Sequence, residues 1–323
     1  MSDGVGGREY MVSGSDKTGR CRRLLAALLV CGVAAGCSGS PTPPDSAPPP
    51  SAPAGVSSPG AGSAAGVTPP GGKSPVGGTS PGIGSPAGDA TAAPGWLGTR
   101  VLPVGSDGFA AAGDTPPELR RRSIVTTDVL SPPADGRFHA TIQAVPASVL
   151  ARSSWTSACP VKATDLRYVT VGFRGFDGLA HTGELLVHKR AATGLVTVFG
   201  RLFAAGYPIE AMRVTGADEL NAPPTGDGNG TDAYACRPVR GRTSWSQHSY
   251  GLAVDINPFQ NPYHRGKVVL PELATSYLDR GDVRPGMIEP GGPVVRAFAA
   301  IGWKWGGDYR SLKDFMHFSA TGG

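Results

Sequence analysis

Two short segments contain most of the side chains that could bind a metal ion or transfer a proton. The first reads SWSQHSYGLAVDIN and carries His248 and Asp255. The second reads GWKWGGDYRSLKDFMHF and carries Asp314 and His317. A catalytic zinc ion takes three protein ligands from imidazole and carboxylate groups and keeps one position open for water. A separate carboxylate is then needed to accept the proton of that water.

The spacing of these residues fits such a site. His248 and Asp255 are seven residues apart, and Gly251 between them permits the tight turn that would bring both side chains to one ion. Asp314 precedes His317 by three residues, beside a short apolar stretch. The residue chemistry predicts His248, Asp255 and His317 as Zn²⁺ ligands and Asp314 as the catalytic base. By spacing alone another explanation stays open, in which Asp255 is a buried residue that caps a turn.

Together the two segments resemble a known family of zinc peptidases. The pattern S-x-H-x-x-G-x-A-x-D-I-N, followed by W-G-G and D-x-M-H-F, is similar to that of VanY-like D-alanyl-D-alanine carboxypeptidases and L-alanyl-D-glutamate peptidases. The resemblance extends over residues 138–320. It implies zinc binding by His248, Asp255 and His317 and a role as base for Asp314. Because this base is Asp rather than the Glu of the dipeptidase branch, the VanY-like and endopeptidase members are favoured.

The same resemblance points to residues that would bind the substrate. The stretch DAYACRPVRGRTSWSQH is similar to the family segment before the first motif, where an arginine binds a substrate carboxylate or stabilises the oxyanion. Arg237 is the first candidate for this role and Arg213 the second. Ser246, Tyr250 and Trp305 are further candidates for substrate binding. Alternatives remain for each, because Ser246 could bond the zinc-site Asp or simply form a turn, and the two aromatic residues could serve packing.

The function implied by the resemblance is hydrolysis of peptidoglycan stem peptides, as a D-alanyl-D-alanine carboxypeptidase or as an L-alanyl-D-glutamate endopeptidase. One alternative is a non-catalytic cell-wall-binding module that retains the fold, and Asp314 argues against it because this carboxylate has no ligand role. Another is a zinc peptidase of ordinary secreted peptides. We expect a monomer. Nucleic-acid binding has no support, since no long Lys/Arg run with interleaved aromatic residues follows the N-terminus.

Several predicted elements must position these residues. Apolar patterns predict strands over 138–145, 166–173, 183–188, 209–214, 252–256 and 315–318, and helices over 191–205 and 291–301. Gly206 is expected to end the first helix. The Pro-, Gly- and Asn-rich residues 221–232 predict a loop. The order of elements predicts an α+β domain with a small antiparallel sheet and flanking helices, and the resemblance implies a hedgehog/D-Ala-D-Ala-peptidase-like fold around the zinc site.

The N-terminus of the 323-residue chain has the features of an export signal. Arginines at 20, 22 and 23 precede an apolar run of about a dozen residues, which is too short to span a bilayer. The sequence Ala-Ala-Gly-Cys that follows resembles the bacterial lipobox. Residues 1–36 are therefore predicted to be a lipoprotein signal peptide, with Cys37 as the lipidated first residue of the mature protein. An ordinary secretory signal is the alternative, and the start codon is either Met1 or Met11.

The rest of the chain divides by composition. Residues 37–95 consist almost entirely of Pro, Gly, Ser, Ala and Thr, which predicts a disordered linker because so little apolar surface is available to bury. Residues 96–135 form a transitional segment, and residues 136–321 form the zinc peptidase domain. The basic cluster Arg120–Arg122 is expected to be the solvated end of the linker, with contact to an anionic polymer as the alternative.

Cysteine usage is consistent with export. Of the five cysteines, Cys21, Cys31 and Cys37 lie in the targeting region, which leaves Cys159 and Cys236. In an oxidising compartment this pair predicts a disulfide, and two separate buried thiols are the alternative. The sequence thus predicts an extracytoplasmic membrane lipoprotein that faces the cell wall.

Overall fold

The computed structural model describes residues 90–240 and 242–322. The predicted signal peptide, the lipidation site at Cys37 and nearly all of the predicted linker lie outside the described residues. All described residues belong to the unit Pro75–Gly323. Within it, the described ranges contain no helix with the length and apolar character needed to cross a bilayer.

Short strands and helices alternate along the described residues. The strands are β1 (Ala140–Gln143), β2 (Leu166–Arg174), β3 (Ala180–His188), β4 (Ala211–Met212), β5 (Gly230–Thr231), β6 (Ala253–Asp255), β7 (Tyr263–Arg265), β8 (Val268–Leu270), β9 (Lys304–Trp305), β10 (Lys313–Asp314) and β11 (His317–Ser319). The α-helices are α1 (Ala147–Arg152), α2 (Ala192–Ala204), α3 (Ala217–Asn221) and α4 (Pro293–Ala299). This mixture of helices and small sheets confirms the predicted α+β class.

The sheets are small and mostly antiparallel. Three of them have the strand orders β1-β2-β3, β10-β7-β8 and β6-β11-β9, and a fourth pairs β4 with β5 in parallel. The last pair lies partly inside the predicted loop over 221–232, so that prediction is wrong at residues 230 and 231. A two-residue strand rich in glycine has no local pattern, and only its partner β4 defines it.

The helix α2 was predicted almost to the residue. Its buried side chains Leu195, Phe199 and Leu202 repeat at helical spacing and pack in the same core as the apolar residues of β2. Gly206 has a φ of 65°, and the N–H of Tyr207 beyond it donates to the Leu202 carbonyl at 3.0 Å. A left-handed glycine just past the last turn therefore ends the helix, as predicted.

The main core supports the strands that carry the chemical motifs. Phe298 of α4 stacks on Phe318 of β11 with ring centroids 4.0 Å apart and an interplanar angle of 12°. Val254 of β6 and Phe318 are both fully buried. Since Val254 and Phe318 are directly opposite each other in the ladder, β6 and β11 are fixed to one another and to the core.

Arg122 is not part of a solvated linker end, contrary to the expectation for the basic cluster. Its side chain is buried, with Nε and Nη2 donating to the two carboxylate oxygens of Glu210 at 2.7 and 2.6 Å. Nη1 donates to the Asp227 carbonyl at 2.7 Å, and the guanidinium lies over the Phe259 ring. Burial is possible because the donors have partners. Arg120 and Arg121 are exposed.

Cys159 and Cys236 form the predicted disulfide, with their Cα atoms 5.9 Å apart. It joins the turn after α1 to the segment that leads into the first chemical motif. The two-thiol alternative is thereby excluded.

Candidate metal centre

His248 lies in a single turn of 3₁₀ helix, Gln247–Tyr250, which is closed at both ends by local contacts. The Ser246 hydroxyl accepts a hydrogen bond from the His248 N–H at 3.3 Å. Gly251 follows the turn with a φ of 65°, and a β-carbon there would lie 2.5 Å from the His188 nitrogen. Only glycine satisfies both the backbone conformation and the close approach, so the tight turn expected at this residue is confirmed.

Asp255 and His317 occupy directly opposed positions on the antiparallel strands β6 and β11. Side chains of opposed residues project from the same face of a sheet, which brings these two groups together although they are 62 residues apart in sequence. His317 Nδ1 is 2.9 Å from Asp255 Oδ1. Since Phe318 follows His317 in β11, its packing in the core also fixes the position of the His317 imidazole.

The three predicted ligands converge on one point. His248 Nε2 lies 3.2 Å from His317 Nδ1 and 3.3 Å from Asp255 Oδ1. One ligand atom from each residue lies within 4.8 Å of the others. His248 Nδ1 is 2.8 Å from the Ala233 carbonyl, which holds the proton on that nitrogen and leaves Nε2 directed at the cluster. Two nitrogens and one oxygen in this arrangement form a donor set that could hold a metal ion.

Electrostatics within the group are strong because it is buried. Burial opposes protonation of His248, but the Asp255 carboxylate outweighs it and raises the pKa of His248 to about 9. Burial likewise favours a neutral Asp255, yet His248 and then His317 hold the pKa of Asp255 well below its usual range. Metal binding requires neutral imidazole rings and an ionised carboxylate. A bound cation would therefore replace the proton that Asp255 otherwise stabilises on His248.

Asp314 lies beside this group without contributing to it. Burial and the nearby Asp255 carboxylate raise the pKa of Asp314 to about 6. Its Oδ1 is shielded from solvent and has no hydrogen-bond partner among the described residues. The glycines of the W-G-G motif explain its placement, because a β-carbon at Gly306 would lie 2.5 Å from the Asp314 carbonyl oxygen and 2.8 Å from its Cβ.

Comparison with known proteins agrees with this geometry. Residues 240–320 match the family model described as D-alanyl-D-alanine carboxypeptidase. Both chemical motifs lie inside the matched segment. The match confirms the VanY-like resemblance inferred from the motifs and indicates a hydrolase. No solved structure matches the chain at a significant level.

Both candidate arginines lie outside the segment matched to the carboxypeptidase family, so structure alone distinguishes them. Arg237 is exposed, and its main chain is fixed by Ser249, whose hydroxyl lies 3.0 Å from its N–H and 2.7 Å from its carbonyl. The Arg237 guanidinium makes no hydrogen bond or ion pair with the described residues. Its charge is close enough to oppose the rise that burial causes in the pKa of Asp314. Arg213 is instead paired with both oxygens of Glu219 at 2.5 Å.

The remaining substrate-binding candidates have mainly structural contacts. Ser246 caps the turn that contains His248, which agrees with the alternative that it is a turn residue. Trp305 is 4% exposed, packs in the main core and donates from Nε1 to the Phe315 carbonyl at 2.8 Å. Its ring is therefore not available to stack on a substrate, and the structure does not support Trp305 as a substrate-binding residue. Tyr250 is half-buried against the main core and stays a candidate for the cleft wall.

Asp232 adjoins the site, although no sequence motif pointed to it. Its N–H and carbonyl exchange hydrogen bonds of 3.2 and 3.0 Å with the main chain of Asp255. Its carboxylate accepts a hydrogen bond from the Thr215 hydroxyl, and burial raises its pKa. Asp232 has no motif spacing to His248 or Asp255, and it reaches them only because an isolated antiparallel bridge pairs it with Asp255.

Proposed function

We propose that this protein is a zinc peptidase that hydrolyses peptidoglycan stem peptides, as a D-alanyl-D-alanine carboxypeptidase or an L-alanyl-D-glutamate endopeptidase. The observation that carries the proposal is the convergence of His248, Asp255 and His317 beside Asp314, whose buried Oδ1 has no hydrogen-bond partner among the described residues. The segment that matches the carboxypeptidase family contains all four residues. The corresponding fold would be hedgehog/D-Ala-D-Ala-peptidase-like.

The donor set fits zinc. Two imidazole nitrogens and one carboxylate oxygen are the ligands of many catalytic zinc sites, which leave a further position open. His248 would bind through Nε2, since its Nδ1 is committed to the Ala233 carbonyl. When bound, the ion would supply Lewis-acid polarisation of the scissile carbonyl and would lower the pKa of a water molecule.

Asp314 would perform the proton transfers. With a pKa of about 6 it is mostly ionised at neutral pH and therefore able to accept a proton from the attacking water. The same pKa is high enough for the protonated acid to return that proton to the leaving amine. Its Oδ1 makes no hydrogen bond within the described residues that would compete with this role.

Arg237 would orient the substrate. Its guanidinium has no partner in the described part of the chain, is exposed near the centre, and is suited to a carboxylate of the peptide or to the developing oxyanion. Arg213 would have to leave Glu219 before it could bind a substrate. The structure therefore favours Arg237 for this role.

The location that we propose is the outer face of the membrane. A lipid on Cys37 and a flexible linker over residues 37–95 would let the peptidase unit reach wall peptides. The disulfide between Cys159 and Cys236 supports an oxidising compartment.

Mass spectrometry of muropeptides tests the activity. The purified full-length mature protein is incubated with defined stem peptides, with zinc and after treatment with a chelator. Loss of one terminal D-Ala identifies the carboxypeptidase, and cleavage between L-Ala and D-Glu identifies the endopeptidase. If the zinc-loaded protein binds wall material but leaves every peptide mass unchanged, the proposal is wrong and the non-catalytic binding module takes its place.

A further inference from the structure

Tyr309 has a buried hydroxyl group near Asp314, and the proposed mechanism gives it no role. Its oxygen is shielded from solvent and has no hydrogen-bond partner among the described residues. Asp314 Oδ1 is in the same condition. Such groups are rare in folded proteins, because the loss of hydration is not offset by another bond. Two of them in one small region suggest complementary partners.

Both side chains pack against the same glycine. A β-carbon at Gly306 would lie 2.8 Å from Asp314 Cβ and 3.2 Å from Tyr309 Cε2. The main chain around them is fixed, since the Tyr309 N–H donates to the Gly306 carbonyl at 3.2 Å. The Lys313 ammonium donates to the Tyr309 carbonyl at 2.8 Å, which ties Tyr309 to the residue that precedes Asp314.

The chemistry of the pair is that of a donor and an acceptor. Burial raises the pKa of Tyr309, and the nearby carboxylates of Asp314 and Asp255 raise it further. The phenol is therefore protonated at neutral pH and available as a donor. Ser319 lies near the phenol, but no hydrogen bond of acceptable geometry joins them. The ionised Asp314 carboxylate is an acceptor only.

We propose that Tyr309 is a positioning residue whose hydroxyl donates a hydrogen bond to Asp314 Oδ1, directly or through one water molecule. A small side-chain rotation or a single bridging water satisfies both buried groups at once. The bond fixes the orientation of the carboxylate that acts as base. Its catalytic consequence rests on the proposed function, whereas the hydrogen bond itself does not.

A double-substitution cycle tests the bond without any activity. Tyr309→Phe, Asp314→Ala and the double variant are made in the full-length mature protein, and their unfolding equilibrium constants are compared in denaturant. Alanine is used because an asparagine oxygen at 314 could still accept the bond. We expect the two substitutions to be non-additive by about threefold or more in the unfolding constant. Additive effects would overturn the proposal.

Kinetics on stem peptides test the consequence and remain informative if Asp314→Ala fails to fold. Tyr309→Phe should lower kcat about tenfold or more with KM and zinc content unchanged. Tyr234→Phe is the matched control, since it deletes another buried, unpartnered phenol hydroxyl, in a separate apolar cluster with Val149 and Leu166. It should leave kcat unchanged.

The two experiments separate the two ideas. A wild-type kcat for Tyr309→Phe in an active enzyme would remove the positioning role. If the wild-type protein cleaves no stem peptide while the cycle is non-additive, the proposed function fails and the hydrogen bond stands.

Discussion

The side chains of the metal centre interact at short range, and each influences the protonation of the others. Asp255 Oδ1 lies 2.9 Å from His317 Nδ1 and 3.3 Å from His248 Nε2. Removal of any one of the three takes one of its short contacts from each of the other two, which stay buried. Asp314 is different, because no atom of it belongs to the convergent group. Substitutions of the proposed ligands and of the proposed base should therefore differ in their effect on metal content.

Asp314→Asn should retain about one zinc ion per chain and lose roughly 10²–10⁴-fold in kcat, since it preserves size but removes the proton acceptor. His317→Ala is the contrasting variant and should lose both zinc and activity. Elemental analysis is measured beside hydrolysis of a stem peptide. Loss of zinc from Asp314→Asn in step with activity would make Asp314 a ligand, and near-normal turnover would exclude it as the base.

Arg237→Ala should raise KM for a stem peptide by roughly tenfold or more, because a charge-assisted hydrogen bond to the substrate carboxylate is lost. Steady-state kinetics give KM and kcat separately. Arg242→Ala is the control, since it removes an exposed arginine from the same loop. Equal effects of the two variants would indicate a general charge effect, and a larger effect of Arg213→Ala would transfer the role to that residue.

At the scale of elements, the first motif is a capped turn followed by β6, and the second is β10 followed by β11. Neither element is stable alone, since each strand has only two or three residues. Strands β6 and β11 are held in place by pairing with each other and by the packing of Phe318 on Phe298 of α4. The glycine that ends the His248 turn is the local feature on which this arrangement depends most directly.

Gly251→Ala should destabilise the protein by about 2 kcal/mol or more, because the left-handed backbone disfavours a β-carbon and the new atom would contact the His188 nitrogen. Denaturant unfolding measures the change. Gly228→Ala is the control, as that glycine is exposed and has open space around it. An unchanged unfolding midpoint for Gly251→Ala would show that the turn is not required.

At the scale of the molecule, the described residues before 136 pack against those that follow. Leu119 and Ile124 lie in a core cluster with Phe259 and Tyr277, and Arg122 is buried against Glu210. Asn229 also donates to Glu210 at 2.8 Å, so this carboxylate connects the segment to the region of β5.

Glu210→Ala should cost about 3–5 kcal/mol of stability, because it leaves the Arg122 guanidinium buried without its counter-charge. The comparison variant is Arg121→Ala, whose side chain is 79% exposed and 3.9 Å from Asp282, and which should change stability by less than about 0.5 kcal/mol. Both are measured by denaturant unfolding. Similar small losses in the two variants would contradict the structural role assigned to Arg122.

The anchor is tested on the whole chain in cells. Cys37→Ala should abolish labelling by a fatty-acid probe and should shift the protein out of the membrane fraction. If the wild-type protein carries no lipid and is found free in the medium, the anchor is excluded. That result would not bear on the peptidase activity.

Much of the candidate site could be predicted from the sequence alone, because metal binding requires particular residue types and the Gly251 turn depends on neighbouring residues. The three convergent side chains, the adjacent carboxylate and the pair Cys159–Cys236 could all be identified without coordinates. The apolar periods likewise located α2 and the long strands. Only the tertiary structure decided which arginine is unpaired, that Trp305 lies in the core, and that Asp232 and Tyr309 adjoin the centre. Most of those properties arise from pairings between distant segments, such as Asp232 with Asp255 and β9 with β11, and no local pattern encodes them.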